Sequence, residues 1–277
     1  MASAFEVIAE EFVDDMGTIQ SLVMTFSDSQ KPPKARIAAA NSATLLVAAT
    51  FEEFVREMAR EYARAVVTNT KSFEKLPHKL ASTAWRRTMD GLSKVRFDGD
   101  QTGGGAESVF GAAQARFTVI YEFCKGDLTQ DIYRDLIHNE NNMRPNELNG
   151  LFKVSGLSDV CKMLSDKEPM LEIFGEAESG KAHGKLISGL EDFFERRNTI
   201  AHALNLHQSS SPEQIVNDIN LLKSFGKALC ETLDALAPKP SVVPVVHAGA
   251  AVAKPEIEPV EAEPSPAPEN PPLVPGP

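Results

Sequence analysis

The sequence predicts an all-α protein. In several long segments apolar residues recur every three or four positions, which is the period of a helix buried along one face. Only residues 116–123 could pass for a strand, and their helical interpretation is equally good. The last 40 residues hold 12 of the 18 prolines and stand apart from these periodic segments. A helical bundle followed by a proline-rich tail is therefore the expected organisation.

The longest amphipathic segment runs from residue 35 to residue 66. Pro32 and Pro33 block its extension toward the N-terminus. Its apolar stripe steps by three or four residues through Ile37, Ala40, Thr44, Val47, Phe51, Phe54, Met58 and Tyr62. One long helix is predicted here.

A second strong helix is predicted before the tail. Ser211 can cap its N-terminus, Pro212 suits the first turn, and Gln214 completes a spacing like that of a capping box. Residues 4–26, 107–124 and 184–201 also have helical periodicity, whereas residues 97–108 are expected to form a loop. The stripe of the last helix is Ile215, Ile219, Leu222, Phe225, Leu229, Leu233 and Leu236.

Composition divides the chain after residue 236. Residues 1–236 are expected to form a single all-α domain, which is long enough to bury a substantial core. Residues 237–277 are expected to be disordered and partly polyproline, because proline removes backbone donors and blocks helix formation. The sequence Pro-Pro-Leu-Val-Pro at 271–275 could dock in a groove that reads proline-rich peptides, although a solvated linker is the more ordinary interpretation.

The bulk properties exclude several classes of protein. The formal net charge is −11, so any contact with nucleic acid must be local, through clusters such as 85–87 or 195–197. The acidic N-terminus lacks the order of a signal peptide, and no apolar run approaches the ~18 residues of a membrane span. The three cysteines are widely separated, which suggests a reducing compartment. A cytoplasmic protein without membrane association is expected.

Residues 175–182 have the Gly-x4-Gly-Lys spacing of a phosphate-binding P-loop. The chemistry argues against that function, because Ala182 replaces the hydroxyl that would bind magnesium. Glu176 and Glu178 would also place negative charge where phosphates must lie. A flexible loop leading into a helix from about Lys185 is the better interpretation.

The histidines do not have the spacing of metal ligands. His202 and His207 are five residues apart rather than four, so they do not share one helical face. His138, His183 and His247 have no ligand-like neighbours in the sequence. Neither a metal site nor a cofactor is predicted.

The segment 193–207 places charged residues in a stretch that otherwise has the pattern of a packed helix. Arg197 falls on an apolar stripe, and an arginine facing the core is costly unless it is paired or faces a cleft. Arg196 lies off the centre of the stripe and is expected to be solvated. The other members of the stripe are Leu186, Leu190, Phe193 and Ile200.

Helix geometry separates Arg197 from His202. Five residues rotate a helix by about 500°, so the two side chains point roughly 140° apart. They converge only if the helix ends between them or if two chains each contribute a copy. Asn198 is four residues before His202 and could orient its imidazole. The structural alternative is that Arg197 pairs with a buried carboxylate and His202 stabilises the helix C-terminus.

The segment Glu-Arg-Arg-Asn-Thr-Ile-Ala-His-Ala-Leu at 195–204 resembles the Arg-polar-x3-His signature of HEPN domains. These are all-α domains found in many prokaryotic defence and toxin ribonucleases. The helix over 42–63 and the segment 139–160 are similar to the RiboL-PSP-HEPN branch. The likeness spans about residues 36–236 and implies an up-and-down HEPN-like helical bundle with extra helices.

The resemblance assigns roles by position. Arg197 matches the family arginine, Asn198 the polar residue after it, and His202 the histidine. Glu52 or Glu53 matches an acidic residue on an earlier helix more loosely. Ala203, however, stands where the family often has glycine.

The resemblance implies a metal-independent endoribonuclease in which the RNA 2′-OH attacks the adjacent phosphate. Histidine would move protons and arginine would stabilise the phosphorane charge. Family members commonly form homodimers, and the expected setting is phage defence, stress response or a toxin system with an antitoxin or defence-system partner. The alternative is a non-catalytic HEPN module with an interaction or regulatory function.

Overall fold

The computed structural model describes residues 2–27, 30–96, 105–138, 142–202 and 209–239. Within these ranges the protein is all-α, as the sequence predicts, and contains no strand. None of the described helices combines the length and the hydropathy needed to cross a bilayer. The helices are α1 (Ala4–Phe26), α2 (Pro33–Thr68), α3 (Leu80–Ser93), α4 (Gly105–Cys124), α5 (Tyr133–Leu136), α6 (Pro145–Lys153), α7 (Val160–Leu164), α8 (Glu168–Phe174), α9 (Ser179–His202) and α10 (Pro212–Leu236), with a 3-10 turn at Phe73–Lys75.

The predicted helix starts follow from local capping chemistry. The Ser3 hydroxyl accepts a hydrogen bond from the Glu6 backbone N–H at 3.1 Å, and the Glu6 carboxylate accepts one from the Ser3 N–H at 2.6 Å. This reciprocal pair is a capping box for α1. Ser211 caps α10 by accepting from the Gln214 N–H at 3.1 Å. The tail predicted to be disordered comprises residues 237–277, of which residues 240–277 lie outside the described residues.

α2 is the central helix of the bundle. Its 36 residues span about 54 Å, and its predicted stripe is buried from Thr44 to Tyr62. α1 and α10 pack on either side of this stripe. The Phe12 ring of α1 stacks on Phe54 with the centroids 4.0 Å apart, and the Phe225 ring of α10 meets Phe51 edge-on at 5.2 Å. The core therefore runs along α2 between these two helices.

α9 packs on the same core and begins earlier than the sequence indicates. The predicted loop before this helix is wrong for residues 179–183, which form the first turn of α9, where Ala182 is fully buried. The P-loop-like lysine, Lys181, donates to its neighbour Glu178 at 3.2 Å. The Gly-x4-Gly-Lys spacing therefore spans the break between two helices.

α3, α4 and α5 form a smaller group that contacts α2 through α5, where the Arg64 guanidinium lies over the Tyr133 ring. The loop predicted over 97–108 is wrong for residues 105–108, which belong to α4, while residues 97–104 lie outside the described part. A bidentate ion pair fixes α4 to α5, since Arg116 Nε and Nη2 each lie 2.7 Å from an Asp135 carboxylate oxygen. The Thr88 hydroxyl of α3 donates to the same carboxylate at 3.0 Å.

We expect Gly226→Ala to lower the free energy of unfolding by about 1–2 kcal/mol. A Cβ at this position would lie 2.9 Å from the Phe12 ring, which is held against Phe54. Overpacking of this kind costs about 1–3 kcal/mol, and the better helix propensity of alanine recovers up to ~1 kcal/mol. Urea denaturation followed by circular dichroism measures the change.

Gly111→Ala in α4 is the matched control. It is an exposed helical glycine, and its Cβ would meet no atom within 4 Å. At Gly111 the substitution changes only the helix propensity, so Gly111→Ala is expected to raise the free energy of unfolding by up to ~1 kcal/mol. Equal stabilisation by both substitutions would contradict the close approach of Phe12 to Gly226.

Candidate functional site

The end of α9 carries the three residues that the family resemblance singles out. The helix is anchored by the buried rings of Phe193 and Phe194, and it remains α-helical to His202, its last residue. The possibility that the helix ends between Arg197 and His202 is therefore wrong. On one chain the two side chains leave the helix roughly 140° apart.

Arg197 lies partly buried on the face of α9 that packs toward α2. Its charge favours ionisation of Glu52 on α2, but burial of Glu52 has the larger effect and raises the pKa of that carboxyl. Arg197 Nε and Glu52 Oε1 are both buried, and neither has a hydrogen-bond partner within the described ranges. The charges of Arg197 and Glu52 therefore interact, and each side chain keeps one buried polar atom without a hydrogen bond among the described residues.

Asn198 is bonded to Arg197 and to a distant asparagine. Its Oδ1 accepts a hydrogen bond from Asn142 Nδ2 at 2.7 Å and a longer one from Arg197 Nη1 at 3.3 Å. No hydrogen bond joins it to His202 among the residues that the structure describes. The structure thus brings Asn198 to the arginine rather than to the imidazole, which is exposed on the last turn.

The segment before α6 is fastened along α9. Arg144 Nη1 lies 2.7 Å from Glu191 Oε2, and Arg144 Nη2 lies 2.8 Å from Glu195 Oε2. The hydrogen bonds to Glu195 and Glu191 raise the pKa of Arg144. Glu191, Glu195, Asn198 and His202 are spaced four, three and four residues apart, so they share one face of α9. Arg144 therefore lies on the face that leads to His202.

Sequence reasoning assigned no role to Asn142 or Arg144. Both lie in the segment 139–160 that contributes to the family resemblance, and this was the only signal available. Their partners on α9 are about 50 residues away in sequence.

Arg196 is not solvated as predicted. Its Nη2 donates to Asp218 Oδ1 of α10 at 2.6 Å, and Gln214 Nε2 donates to the same oxygen at 3.0 Å. Burial raises the pKa of Asp218 and outweighs the opposing effect of Arg196. The prediction failed because α10, which supplies the carboxylate, covers this side of α9. Arg196 thus ties α9 to α10.

The structure distinguishes the two acidic candidates on α2. Glu53 is exposed and pairs with its own helix, accepting from Arg56 Nε at 2.8 Å and from Arg60 Nη1 at 2.7 Å. Burial acts against its ionisation, but the hydrogen bonds from Arg60 and Arg56 outweigh it, so the pKa of Glu53 is lowered. Glu52 is the carboxylate that lies near Arg197.

A cleft of about 340 Å³ adjoins the end of α9 on the side of Arg196. Neither Arg197 nor His202 lines it, so it is separate from the predicted catalytic residues. No group of three or more His, Cys, Asp and Glu side chains in the described ranges is arranged to hold a metal ion. The cleft is lined by Asp192, Glu195, Arg196, Thr199, Ile200, Ser209 and Ser210.

We expect Glu52→Gln to stabilise the fold relative to wild type, increasingly as the pH rises above about 4.5, the ordinary pKa of glutamate. The folded protein retains the Glu52 proton over a pH window in which the unfolded chain has lost it. Wild-type stability therefore falls as the pH rises through that window, whereas glutamine does not titrate. Urea denaturation between about pH 3 and 8 measures the difference.

The adjacent variant Glu53→Gln is the control, with the opposite sign. Because the pKa of Glu53 is lowered in the folded state, wild type gains stability as the pH rises toward 4.5. Glu53→Gln should lose stability relative to wild type over the same range, by a small amount since the group is exposed. Parallel pH profiles for the two variants would contradict the assignment of Glu52 to the buried side of α2.

A family model described as RiboL-PSP-HEPN matches residues 10–235. The match begins within α1, ends within α10, and covers about four-fifths of the chain, including every residue of the site described above. No curated protein and no solved structure shows significant similarity to the chain. The match covers most of the sequence, and the fold that carries the site is all-α. The chain therefore belongs to the RiboL-PSP-HEPN family, a HEPN-type family.

Proposed function

We propose that this protein is a metal-independent endoribonuclease. The observation that carries the proposal is the placement of Arg197 near the end of α9, where its charge acts on Glu52 and its Nη1 donates a long hydrogen bond, at 3.3 Å, to the neutral amide of Asn198. An arginine held in this way can offer its fork to a phosphate group. The exposed His202, five residues further along the helix, supplies an imidazole that can act as general acid or base.

In the proposed reaction RNA supplies its own nucleophile. The 2′-hydroxyl loses its proton and attacks the adjacent phosphorus, while the 5′-oxygen of the next nucleotide accepts a proton and leaves. His202 moves protons in these steps. Arg197 stabilises the negative charge that develops on the phosphate oxygens, and Asn198 holds Arg197 in place. The products are a 2′,3′-cyclic phosphate and a 5′-hydroxyl.

We further propose that the active unit is a homodimer. α9 is helical through His202, so Arg197 and His202 of one chain diverge. A two-fold axis near the end of α9 would bring Arg197 of one copy toward His202 of the other. Such an interface also places the Asn142 segment, which flanks the same face, at the edge of the shared cleft.

The substrate in this proposal is RNA in a setting of phage defence, stress response or toxin activity. A net charge of −11 disfavours general attraction of nucleic acid, so binding depends on the local cations at the end of α9. An antitoxin or defence-system partner that controls access to this end of the helix fits that arrangement.

A non-catalytic HEPN interaction module is the second candidate. It is favoured by the ion pairs of Arg144 with Glu191 and Glu195, which serve the packing of α6 against α9. In this case Arg197 would be a structural partner of Glu52, and His202 would only favour the helix C-terminus.

Cleavage of total RNA and tRNA in the presence of a chelator tests the enzymatic proposal. We expect wild type to release fragments with 2′,3′-cyclic phosphate ends. Arg197→Ala and His202→Ala should each lower the rate by about 10²–10³-fold, because each removes one of the two chemical functions. The fragment ends are identified by their resistance to phosphatase and by mass spectrometry.

Two controls replace the same residue types elsewhere. His183→Ala changes a histidine near the start of α9, and Arg134→Ala changes an exposed arginine of α5. Both should cleave at the wild-type rate with unchanged circular dichroism. Equal cleavage by all variants would place the activity at another site, and the absence of cleavage in every sample would favour the interaction module.

Mixing the two inactive variants tests the shared site. If Arg197 and His202 act across a symmetric dimer, a mixed dimer of Arg197→Ala with His202→Ala regains one intact site of two. Random exchange then restores about a quarter of the wild-type rate. The double variant alone should remain inactive, and an inactive mixture whose subunits have exchanged by native mass spectrometry would exclude composite sites.

A further inference from the structure

Helices α3 and α4 carry a row of exposed aromatic side chains. Trp85, Phe117 and Tyr121 are 38%, 42% and 46% exposed. The Trp85 and Phe117 rings meet edge-on with centroids 6.3 Å apart, and the Phe117 and Tyr121 rings stack at 5.9 Å. We call these three residues the aromatic row. Contiguous exposed rings of this kind mark an interaction site.

The core does not require the aromatic row. α4 buries a different face through Ile120 and Phe123, whose side chains are almost fully covered. The ion pair between Arg116 and Asp135 also fixes α4 independently of the exposed rings. The aromatic row therefore lies on a helix pair that other contacts hold in place.

The segment that leads into α3 and forms it is strongly basic. Residues 71–96, up to the end of this described stretch, contain seven Lys and Arg and two acidic residues, Glu74 and Asp90. The formal charge of the segment is therefore +5, in a chain whose net charge is −11. α4 adds no acidic residue between positions 109 and 121. A locally positive surface on an acidic protein favours an anionic ligand.

Exposed cations border the aromatic row. Arg86 is the residue after Trp85, and Lys79 lies seven residues before Arg86 on the same face of α3. Neither side chain forms an ion pair with a described residue. Lys125 at the end of α4 is in contrast already paired with Glu122 at 3.2 Å. The positive charge that a ligand can use therefore lies on α3, beside the indole.

We propose that the aromatic row and the cations beside it form a binding surface for single-stranded RNA. Bases can stack on the exposed rings, since every base has a flat π-face, while the phosphates contact Arg86 and Lys79. In a duplex the bases stack on one another and are not available to side-chain rings, so the surface selects unpaired RNA. The choice of RNA as the nucleic acid rests on the proposed function.

A second copy of the chain matches this surface less well. In a two-fold interface the same patch meets itself, so Arg86 and Lys79 would face their own counterparts. Like charges opposed in this way disfavour the interface. An RNA strand instead supplies both the negative charge and the flat apolar groups that complement the cations and the rings.

The surface lies apart from the candidate catalytic residues. Glu52, which interacts with Arg197, and Arg64, which lies over the Tyr133 ring of α5, are 12 residues apart on α2, or about 18 Å. α3 packs on α5, so the aromatic row belongs with the Arg64 end of α2. RNA held there gains affinity without any contact between this surface and the reacting atoms.

Fluorescence of the full-length chain tests the proposal, because Trp85 is its single tryptophan. The protein carries His202→Ala, so that cleavage does not consume the probe. The probe is an oligouridylate of about 12 nucleotides, which is within the usual site size of single-strand binding surfaces. We expect it to quench Trp85 emission saturably, whereas an RNA duplex of the same length should bind much more weakly.

Variants in the same background separate stacking from charge. Phe117→Ala removes one stacking ring and should raise the dissociation constant about 5–100-fold. Arg86→Ala removes one phosphate contact and should lower the slope of log affinity against log salt concentration by about 0.7. Met24→Ala, at an exposed apolar residue of α1, and Lys227→Ala, at an exposed cation of α10, are the controls. Both should bind as the parent protein does, and circular dichroism checks that every variant is folded.

Unchanged Trp85 emission while the anisotropy of a labelled probe shows binding would overturn the proposal, because the RNA then lies elsewhere on the chain. So would equal affinity of the parent and Phe117→Ala, or Trp85 emission that shifts with protein concentration without RNA, which indicates a second copy. Saturable quenching by a chain that cleaves no RNA even with His202 intact would support the surface and count only against the endoribonuclease.

Discussion

The position of the candidate site depends on the packing of Phe51. Its ring is fully buried, and its centroid lies 5.2 Å from that of Phe225 in α10 and 6.2 Å from that of Phe194 in α9. Phe51 therefore fixes the position of both helices along the axis of α2. Glu52 is the next residue of α2, and Arg197 lies one turn beyond Phe194 on α9. The contact that anchors α9 in the core therefore also brings the arginine beside the carboxylate. The site is a consequence of core packing at the point where the apolar stripe of α9 gives way to charged residues.

The helices α1, α2, α4, α9 and α10 could be predicted because each repeats its apolar period over several turns, and Ser211 also marks the start of α10. α5 to α8 could not, since helices of four to nine residues hold too few turns for a period to be read. They are stabilised by burial of single residues such as Leu136, Leu148 and Met170 in the shared core. The early start of α9 was missed for a related reason. Gly180 and Gly184 weaken the local helix signal, and the burial of Ala182 compensates for them only in the folded bundle.

The candidate site could also be predicted only in part from the sequence. The helical stripe predicted that Arg197 faces inward, whereas the family resemblance named Glu52 or Glu53 only as an acidic residue on an earlier helix and did not place it beside the arginine. The ion pair of Arg196 with Asp218 could not be predicted, because the carboxylate comes from a helix that begins after residue 211. The hydrogen bond of Asn142 to Asn198 joins residues 56 positions apart and leaves no local pattern. Contacts between helices decide that Arg196 pairs with a carboxylate of α10, whereas Arg197 faces α2 and donates to the neutral amide of Asn198.

The different contacts of Arg144 and Arg197 explain why our proposal assigns phosphate recognition to Arg197. Arg144 uses both terminal nitrogens in short ion pairs with two carboxylates, so a phosphate would have to displace both. Among the described residues Arg197 makes one long hydrogen bond, to a neutral amide, and burial raises the pKa of its carboxylate neighbour Glu52. A carboxylate whose ionisation is disfavoured neutralises the adjacent guanidinium less completely, which leaves positive charge for an incoming anion. In the proposed reaction Glu52 therefore competes with phosphate for Arg197 less than two paired carboxylates compete for Arg144.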